Sequence, residues 1–358
     1  MKILAINSSP RSGGQSKTEL MLDHLIEGMR EAGAEVEKVN LREKKIKNCV
    51  GCFTCWTKTP GQCIQKDDMT LEIFPKLQES DLVVNATPLY YHFMNAAMSK
   101  FRERTLPLIQ PFFEQDDDGK TFHPLRNRVP GAVWLSVCGF PDESEFDALS
   151  DYLNRTLHKD AKIVAEIYRP SAEALTDLII EKKANDVLDA TKQAGRELVE
   201  SMKISPETME RITQPLVDKE LFTKMGNMFW KTCIDEGVTP KKFKEDDMVP
   251  RPDSLENFML LFPFGLNRDA AGDGKVVLQF NFSGEVEDSC HFIIEKDNID
   301  AKEGISENPE LTIDTPFELW MDIITQKADG QKLFMEQKYK VNGDILLMMK
   351  LFKGGDDQ

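Results

Sequence analysis

The sequence predicts an α/β fold: a doubly wound parallel sheet of strand order 2-1-3-4-5, followed by a helical segment and then a separate α+β domain. Three observations predict it. Short apolar runs free of charge, beginning with Ile3-Leu4-Ala5-Ile6, have the pattern of strands buried on both faces. Between them stand stretches of helical spacing, the first marked by Leu22, Leu25, Ile26 and Met29. Late in the chain the rhythm changes to alternation, with Val276, Leu278, Phe280 and Phe282 set between Val277, Gln279 and Asn281.

Further strands are read at Glu35 to Asn40, Asp81 to Ala86, Ala132 to Val137 and Lys162 to Ile167. Helical stretches separate them, including Asp67-Asp68 as a cap for a helix through Leu77, a helix from about Asn95 to Arg104 and one within Glu143 to His158. Five βα units make a parallel sheet. Asp116-Asp117-Asp118-Gly119 reads as a solvated turn. From Leu178 to Gly237 the pattern is wholly helical, and Thr239 to Pro252, with three prolines, fits a linker. Beyond it, strands are expected also at His291 to Ile294, Leu311 to Ile313 and Tyr339 to Asp344, with helices carrying Phe317, Trp320, Met321, Ile324 and then Ile345, Met348, Met349, Phe352. The expected domains are therefore 1–180, a helical extension 181–238, a linker 239–252 and a second domain 253–358.

A chain of 358 residues has room for two domains, and 41% hydrophobic residues supply their cores. A net charge of -16, with nothing basic clustered, argues against nucleic acid and anionic membranes as partners. No apolar run approaches a membrane span, and the amino terminus opens on a strand, so no signal peptide is expected. Seven cysteines, an odd number with four packed into fifteen positions, do not resemble a secreted disulfide framework. A reducing cytoplasm is expected.

The stretch Asn7 to Thr18 joins the first strand to the first helix, at the carboxyl end of a strand, where open α/β sheets bind ligands. Ser8, Ser9, Ser12, Ser16 and Thr18 offer hydroxyls, while Gly13 and Gly14 let the backbone approach a ligand and uncover N–H groups at a positive helix end. That is a cradle for one phosphate. Arg11 and Ser16 stand where a Walker A loop wants its glycines before Lys17-Thr18, and no G-x-G-x-x-G occurs. Neutral donors suit a monophosphate such as FMN. If the sheet order holds, the ends of strands 1, 3 and 4 meet, bringing in a loop of Thr87, Pro88, Leu89 and Tyr90 and another of Ser136, Cys138, Gly139 and Phe140. Together they offer backbone donors and ring faces for a planar heteroaromatic. Tyr90, Tyr91 and Phe140, taken singly, read also as plain packing. Asp67 and Asp68 read as a helix cap, and His92 and His123 as surface histidines.

Ser9-Pro10-Arg11 with Gly14-Gln15-Ser16-Lys17-Thr18, Cys49 to Cys63 running into Lys66-Asp67-Asp68-Met69, and Thr87-Pro88-Leu89-Tyr90 with Lys100-Phe101-Arg102-Glu103-Arg104 carry a resemblance. Over about the first 180 residues the chain is similar to the NADPH-dependent FMN reductase and iron-sulfur flavoprotein family. The resemblance implies a flavodoxin-like fold, bound FMN and a homo-oligomer, dimer or tetramer. It assigns the phosphate to Ser9, Arg11, Gln15, Ser16 and Thr18, and the ring system to Pro88, Leu89, Tyr90, Cys138 and Gly139.

Cys49, Cys52, Cys55 and Cys63 stand at Cys-x2-Cys-x2-Cys-x7-Cys, and a compact loop can aim every third residue inward. Four thiolates suit a 4Fe-4S cube or tetrahedral zinc. The pattern resembles the cluster motif of iron-sulfur flavoproteins with a longer last gap, while relatives that keep several of these cysteines without iron leave free thiols as the other reading. Flavin chemistry belongs to the cofactor, so no catalytic side chain is assigned. Without a second dinucleotide fold, NAD(P)H must stack on the exposed ring face, and a quinone, free flavin or disulfide acceptor takes the same place, or a cluster relays single electrons.

Val277 to Gly284, Pro309 to Phe317, Gln331 to Met335 and Lys340 to Asp344 look like the sterol-carrier-protein type 2 domain across roughly Asp253 to Gly354. This implies a five-stranded sheet covered by helices around an apolar tunnel. Phe280, Phe282, Trp320, Ile324, Met348 and Phe352 are candidate lining residues for an apolar or lipid ligand, each of which the same periodicity allows in a core. The expected function is an FMN-dependent NAD(P)H oxidoreductase or electron-transfer flavoprotein whose second domain binds something apolar. The alternative is a lipid-binding or redox-sensing protein in which the first domain does not turn over.

Overall fold

A computed structural model describes residues 1–352 except 118, 157, 159, 160, 178 and 179. Asp118 of the expected acidic turn and residues 353–358 of the second expected domain lie outside the described residues. The chain divides into two compact units, Met1–Val217 and Asp218–Gln358.

The first unit runs β1 (Lys2–Asn7), α1 (Lys17–Glu31), β2 (Glu35–Asn40), α2 (Phe74–Glu79), β3 (Leu82–Tyr90), β4 (Phe93–Met94), α3 (Ala96–Glu103), β5 (Glu114–Gln115), β6 (Thr121–Phe122), β7 (Gly131–Val137), α4 (Asp147–Thr156), β8 (Ile163–Arg169), α5 (Glu181–Ser201) and α6 (Pro206–Thr213). Its main sheet has the order β2-β1-β3-β7-β8, all parallel, with β4 antiparallel on the end of β3. This is the predicted doubly wound order, and it brings the carboxyl ends of β1, β3 and β7 side by side. Apolar strand residues bury on both faces, one core holding Ile3, Ala5 and Val84 under α1 and α5, the other Leu4, Ile6 and Val83 under α3 and α4.

Two local differences from the sequence reading bear on the site. Thr87 to Tyr90 is not a loop but the end of β3: Thr87 and Pro88 keep their ladder places opposite Ser136 and Val137, and Leu89 and Tyr90 pair back with Met94 and Phe93. The Thr-Pro pair reads as a turn signal, yet at a strand end the missing proline N–H costs little. The helix after Asp67-Asp68 begins as a π-helical turn, Met69–Ile73, and continues into α2.

The second unit runs α7 (Lys219–Glu236), α8 (Pro240–Glu245), α9 (Leu255–Leu261), β9 (Val276–Ser283), β10 (Ser289–Ile294), β11 (Ile299–Glu303), β12 (Leu311–Pro316), α10 (Phe317–Ile324), α11 (Gly330–Met335), β13 (Lys340–Gly343) and α12 (Ile345–Leu351). Its sheet is β11-β10-β9-β12-β13, parallel only between β9 and β12. The sequence reading lacks β11, because Ile-Asp-Ala-Lys-Glu is short and three of its residues are charged; it is an edge strand, where charge is favoured. Within the expected linker, Thr239 caps α8 and Pro240 takes its first turn, a place where proline starts helices. The unit division falls inside 181–238, so α5 and α6 lie with the parallel sheet and α7 with the second unit.

The helix that opens the ligand end of the sheet, α1, is fixed by a close backbone approach to α5. A Cβ on Gly28 would stand 1.8 Å from the Lys192 carbonyl oxygen, and one on Gly195 2.1 Å from that of Leu25. Neither obstacle is a flexible side chain. A Gly195→Ala substitution must therefore push the helices apart, at a cost of about 2 kcal/mol, whereas Gly226→Ala on α7 meets nothing within 4 Å. Thermal unfolding followed by circular dichroism is expected to show the first variant lowered by roughly 4–8 °C and the second unchanged or slightly raised.

Candidate functional site

The cradle forms where β1 runs out. Ser8 is anchored to β3 by its N–H and Oγ, both donating to the Ala86 carbonyl at 2.9 and 3.1 Å. The Ser9 N–H turns back to Asn7 Oδ1 at 3.0 Å, and Ser16 Oγ donates to Ser9 Oγ at 2.7 Å, which closes the base of the loop. Ser16 also caps α1, accepting from the Glu19 N–H at 3.0 Å. Gly13 and Gly14 have φ of +63° and +79°, left-handed values that side chains resist, and a Cβ on either would meet nothing within 4 Å. Among the described residues, the N–H groups of Gly13, Gly14, Ser16 and Thr18 have no hydrogen-bond acceptor. An open, glycine-lined loop with free donors at the positive end of a 15-residue helix fits a phosphate.

The loop's two cations are drawn to the segment after β8. Arg11 Nη1 pairs with Glu173 at 2.7 Å, and Lys17 Nζ donates to Thr176 Oγ1 at 2.7 Å. Gln15 is exposed, and Thr18 is buried in the first turn of α1. Ser9 and Ser16 thus meet at the loop base, Thr18 follows in the first turn of α1, and the Arg11 side chain is directed to Glu173.

The β3 end adds a second wall. Pro88 is buried, Leu89 half-buried and Tyr90 exposed, and the chain reverses through Tyr91 and His92 at φ of 50° and 58°. Two successive side-chain-bearing residues in the left-handed region carry strain, of order 1–3 kcal/mol each. His92 Nδ1 lies 3.1 Å from a Glu145 carboxylate oxygen, tying this turn to the stretch after β7. Asn95 ties it to the cradle: its Nδ2 donates to the Ser8 carbonyl at 2.7 Å while its Oδ1 caps α3 on the Met98 N–H. The third wall is the β7 end. The Cys138 N–H and carbonyl are held by Arg169 and Ala172, Gly139 has open space where a Cβ would stand, and Phe140 is exposed. Burial pushes the Cys138 thiol up to about 11, so it is a neutral thiol at neutral pH.

The four cysteines Cys49, Cys52, Cys55 and Cys63 line one small hollow with Glu103, Arg104, Leu106 and Pro107. Among the described residues none of the four is in a disulfide. The loop folds compactly through left-handed Gly51 and Phe53 and a turn in which the Gly61 N–H reaches the Cys55 carbonyl. Burial pushes Cys55 up, and charge on Cys63, Cys52 and Cys49 adds to the rise. Among the described residues no three His, Cys, Asp or Glu side chains close around a single ion. Four thiols lining one hollow are the donor set that a 4Fe-4S cube or a tetrahedral ion would use.

Sequence reasoning missed the residue that organises this loop. Arg104, at the end of α3, and Asp67 are both almost fully buried, with side-chain exposures of 1% and 2%. Arg104 Nη1 donates to Asp67 Oδ2 at 2.6 Å and to the Lys47 carbonyl at 2.8 Å. Its Nη2 donates to Asp67 Oδ1 at 3.1 Å, Thr70 Oγ1 at 3.0 Å and Cys63 Sγ at 3.4 Å. Asp67 also accepts from the N–H groups of Lys47 and Thr70, the second being the expected cap. Burial raises the Asp67 pKa, but the bonds from Arg104, Lys47 and Thr70 outweigh it and hold the carboxyl below its ordinary value. The sequence carried no sign of the pair beyond the presence of Asp67 and Arg104 in two separate motifs, 37 residues apart.

In the second unit Phe280, Phe282 and Trp320 are buried and Ile324, Met348 and Phe352 pack against them. Trp320 stands 5.0 Å from Phe280 and 5.8 Å from Phe352, centroid to centroid. The six candidate lining residues therefore share one aromatic cluster, in which the Trp320 Nε1–H is buried without an acceptor among the described residues.

The first unit has a flavodoxin-like sheet with an open, glycine-lined loop at its switch point, and the second has an α+β sheet with an aromatic interior. Residues 1–139 match the family model described as NADPH-dependent FMN reductase, and residues 267–353 that of the SCP-2 sterol transfer family. An iron-sulfur flavoprotein of Archaeoglobus fulgidus is 43% identical over 44% of this chain and 62% of its own. Another of Methanocaldococcus jannaschii is 32% identical over 37% of this chain and 61% of its own. The chain thus spans about three fifths of the length of these curated relatives. A solved structure titled NAD(P)H:quinone oxidoreductase from Methanothermobacter marburgensis aligns at 14% identity and a TM-score of 0.42, covering 55% of this chain and 96% of that one. Among the described residues no helix is long and apolar enough to cross a membrane.

Removing the Asp67 charge isolates what the buried pair contributes. Asp67→Asn leaves Arg104 buried and uncompensated, a loss of about 3–5 kcal/mol near neutral pH. Because the folded pKa of Asp67 is depressed, the wild-type advantage is fully present above the unfolded value of about 3.9 and is lost as pH falls through the folded one. Denaturant titrations of both proteins from pH 7 downward should show the gap closing in that acid range, and a gap constant with pH would contradict it.

Proposed function

We propose that this protein is a flavin-dependent oxidoreductase that holds FMN at the ends of β1, β3 and β7 and oxidises NAD(P)H. The observation that carries the reading is the cradle: free N–H groups at Gly13, Gly14, Ser16 and Thr18 over a base closed by Ser9 and Ser16. Bound there, FMN supplies the capacity to accept a hydride and pass electrons on singly or in pairs.

The chain's own residues bind and orient. The hydroxyls of Ser9, Ser16 and Thr18 and the glycine amides would hold the phosphate, with Gln15 and Arg11 at the rim. Pro88, Leu89 and Tyr90 on one side and Cys138 and Gly139 on the other would flank the ring. The strained Tyr91-His92 turn, braced by Glu145, keeps Tyr90 at the open edge. With one dinucleotide-sized fold in the unit, the nicotinamide donor and a small acceptor such as a quinone, flavin or disulfide would use the same face in turn.

The hollow shared by Cys49, Cys52, Cys55 and Cys63, together with two relatives named iron-sulfur flavoproteins, supports a 4Fe-4S cluster as a second electron carrier. The SCP-2 match and the unpartnered Trp320 Nε1–H support an apolar ligand carrying an acceptor oxygen, such as a lipophilic quinone, in the second unit. A homo-oligomer and a cytoplasmic location belong to the same proposal.

The purified protein is expected to be yellow-brown, with one FMN per chain and flavin bands that bleach on adding NADPH or NADH. Gly14→Val, which puts a branched side chain at φ +79°, should raise the FMN dissociation constant at least about tenfold, or 1.4 kcal/mol, with the thermal midpoint of the apoprotein little changed. A colourless protein that does not bind micromolar FMN would refute the redox reading.

A further inference from the structure

The four-cysteine reading leaves one buried group unexplained. A guanidinium has five N–H donors. In Arg104 the four on Nη1 and Nη2 are matched by Asp67, Lys47, Thr70 and Cys63, while Nε is buried with no acceptor among the described residues. Leaving a buried donor unmade costs about 1–3 kcal/mol. On the planar fork the Nε–H lies along the same edge as an Nη2–H, and Nη2 is the nitrogen that donates to Cys63 Sγ. Arg104 is also a lining residue of the cysteine hollow, and Asp67 is not.

We propose that Arg104 is the positioning residue of the cysteine hollow: a buried cation that holds Cys63 through Nη2 and donates its Nε–H to a sulfur of the bound cluster. The proposal rests on the cluster reading above and adds a specific role to a residue that carries no thiol. A cube ligated by four thiolates has net negative charge that grows on reduction, and hydrogen bonds to its sulfurs set its potential. The Asp67–Arg104 pair is formally neutral but oriented, with the cationic end in the wall of the hollow. It therefore favours the reduced, more negative cluster. Replacing Arg104 by a neutral residue removes the cation and leaves the Asp67 carboxylate buried behind the hollow, so both changes act in one direction.

The test uses the full chain, purified without oxygen, with FMN content as the measure of an intact first unit. Iron and sulfide are assayed, and the cluster is titrated with dithionite and mediators under EPR detection. Wild type should hold four iron and four sulfide. Arg104→Lys, which retains a cation but no Nε donor, should keep its FMN and shift the reduced-to-oxidised ratio at fixed potential about tenfold toward oxidised, about 59 mV for a one-electron couple. Arg104→Gln should shift it further or shed iron while keeping FMN. Because Arg104→Gln can fail to fold, wild type grown with ¹⁵N-arginine provides a reading without mutation: pulsed EPR of the reduced cluster should show an arginine-nitrogen coupling that Arg104→Lys abolishes. Full iron with no such coupling and an unchanged Arg104→Lys potential would overturn the role of Arg104 and leave the cluster reading standing. Absence of iron and sulfide from wild type would overturn the cluster reading and this proposal with it, while a retained FMN would leave the flavin reading intact.

Discussion

The buried pair of Asp67 and Arg104 is the contact on which the cysteine loop depends. Burying two charges costs several kcal/mol per ion, and the cost is offset only when geometry and further hydrogen bonds are complete. Here the carboxylate takes both ends of the guanidinium and two backbone N–H groups as well. The same guanidinium holds the Lys47 carbonyl where the loop begins and the Cys63 sulfur where it ends. Asp68 adds a second fastening through the Lys45 N–H at 2.6 Å. A segment with almost no regular backbone pairing is thus pinned at both ends to the starts and ends of neighbouring helices. Its four thiols face one hollow for that reason.

The parallel sheet provides the other constraint. Parallel strands must all deliver their carboxyl ends to one edge, and the reversal of order beside β1 opens a crevice there. Helix α1 has to stand at a fixed height above that crevice for its amino-terminal amides to serve as donors. Gly28 and Gly195 secure it by letting the α1 and α5 backbones touch. Asn95 then links the cradle to the β3 end by hydrogen bonds on both sides of its amide. Arg11 and Lys17 are drawn toward Glu173 and Thr176, so hydroxyls and backbone N–H groups line the base of the loop.

The second unit follows a different physical plan. Its sheet has one face packed under helices, so its strands alternate, and the inward positions of β9 carry Phe280 and Phe282 into a set of rings that includes Phe258, Phe262, Trp320 and Phe352. Aromatic rings bury large areas at low entropic cost and meet edge to face. Within that interior the Trp320 Nε1–H is buried without an acceptor among the described residues.

The sequence by itself determined the pattern of local elements: which runs are doubly buried, which helices are amphipathic, where alternation begins, and that hydroxyls, glycines and thiols stand at strand ends and in one loop. Those are legible because period, turn chemistry and spacing are properties of neighbouring residues. Tertiary structure alone decided the rest. The extension of β3 through Pro88, the polar edge strand β11 and the close approach at Gly28 and Gly195 depend on partners far along the chain. So does the meaning of Arg104, a charged residue at a helix end in the sequence, which burial beside Asp67 and Cys63 turns into the fastening of the cysteine loop.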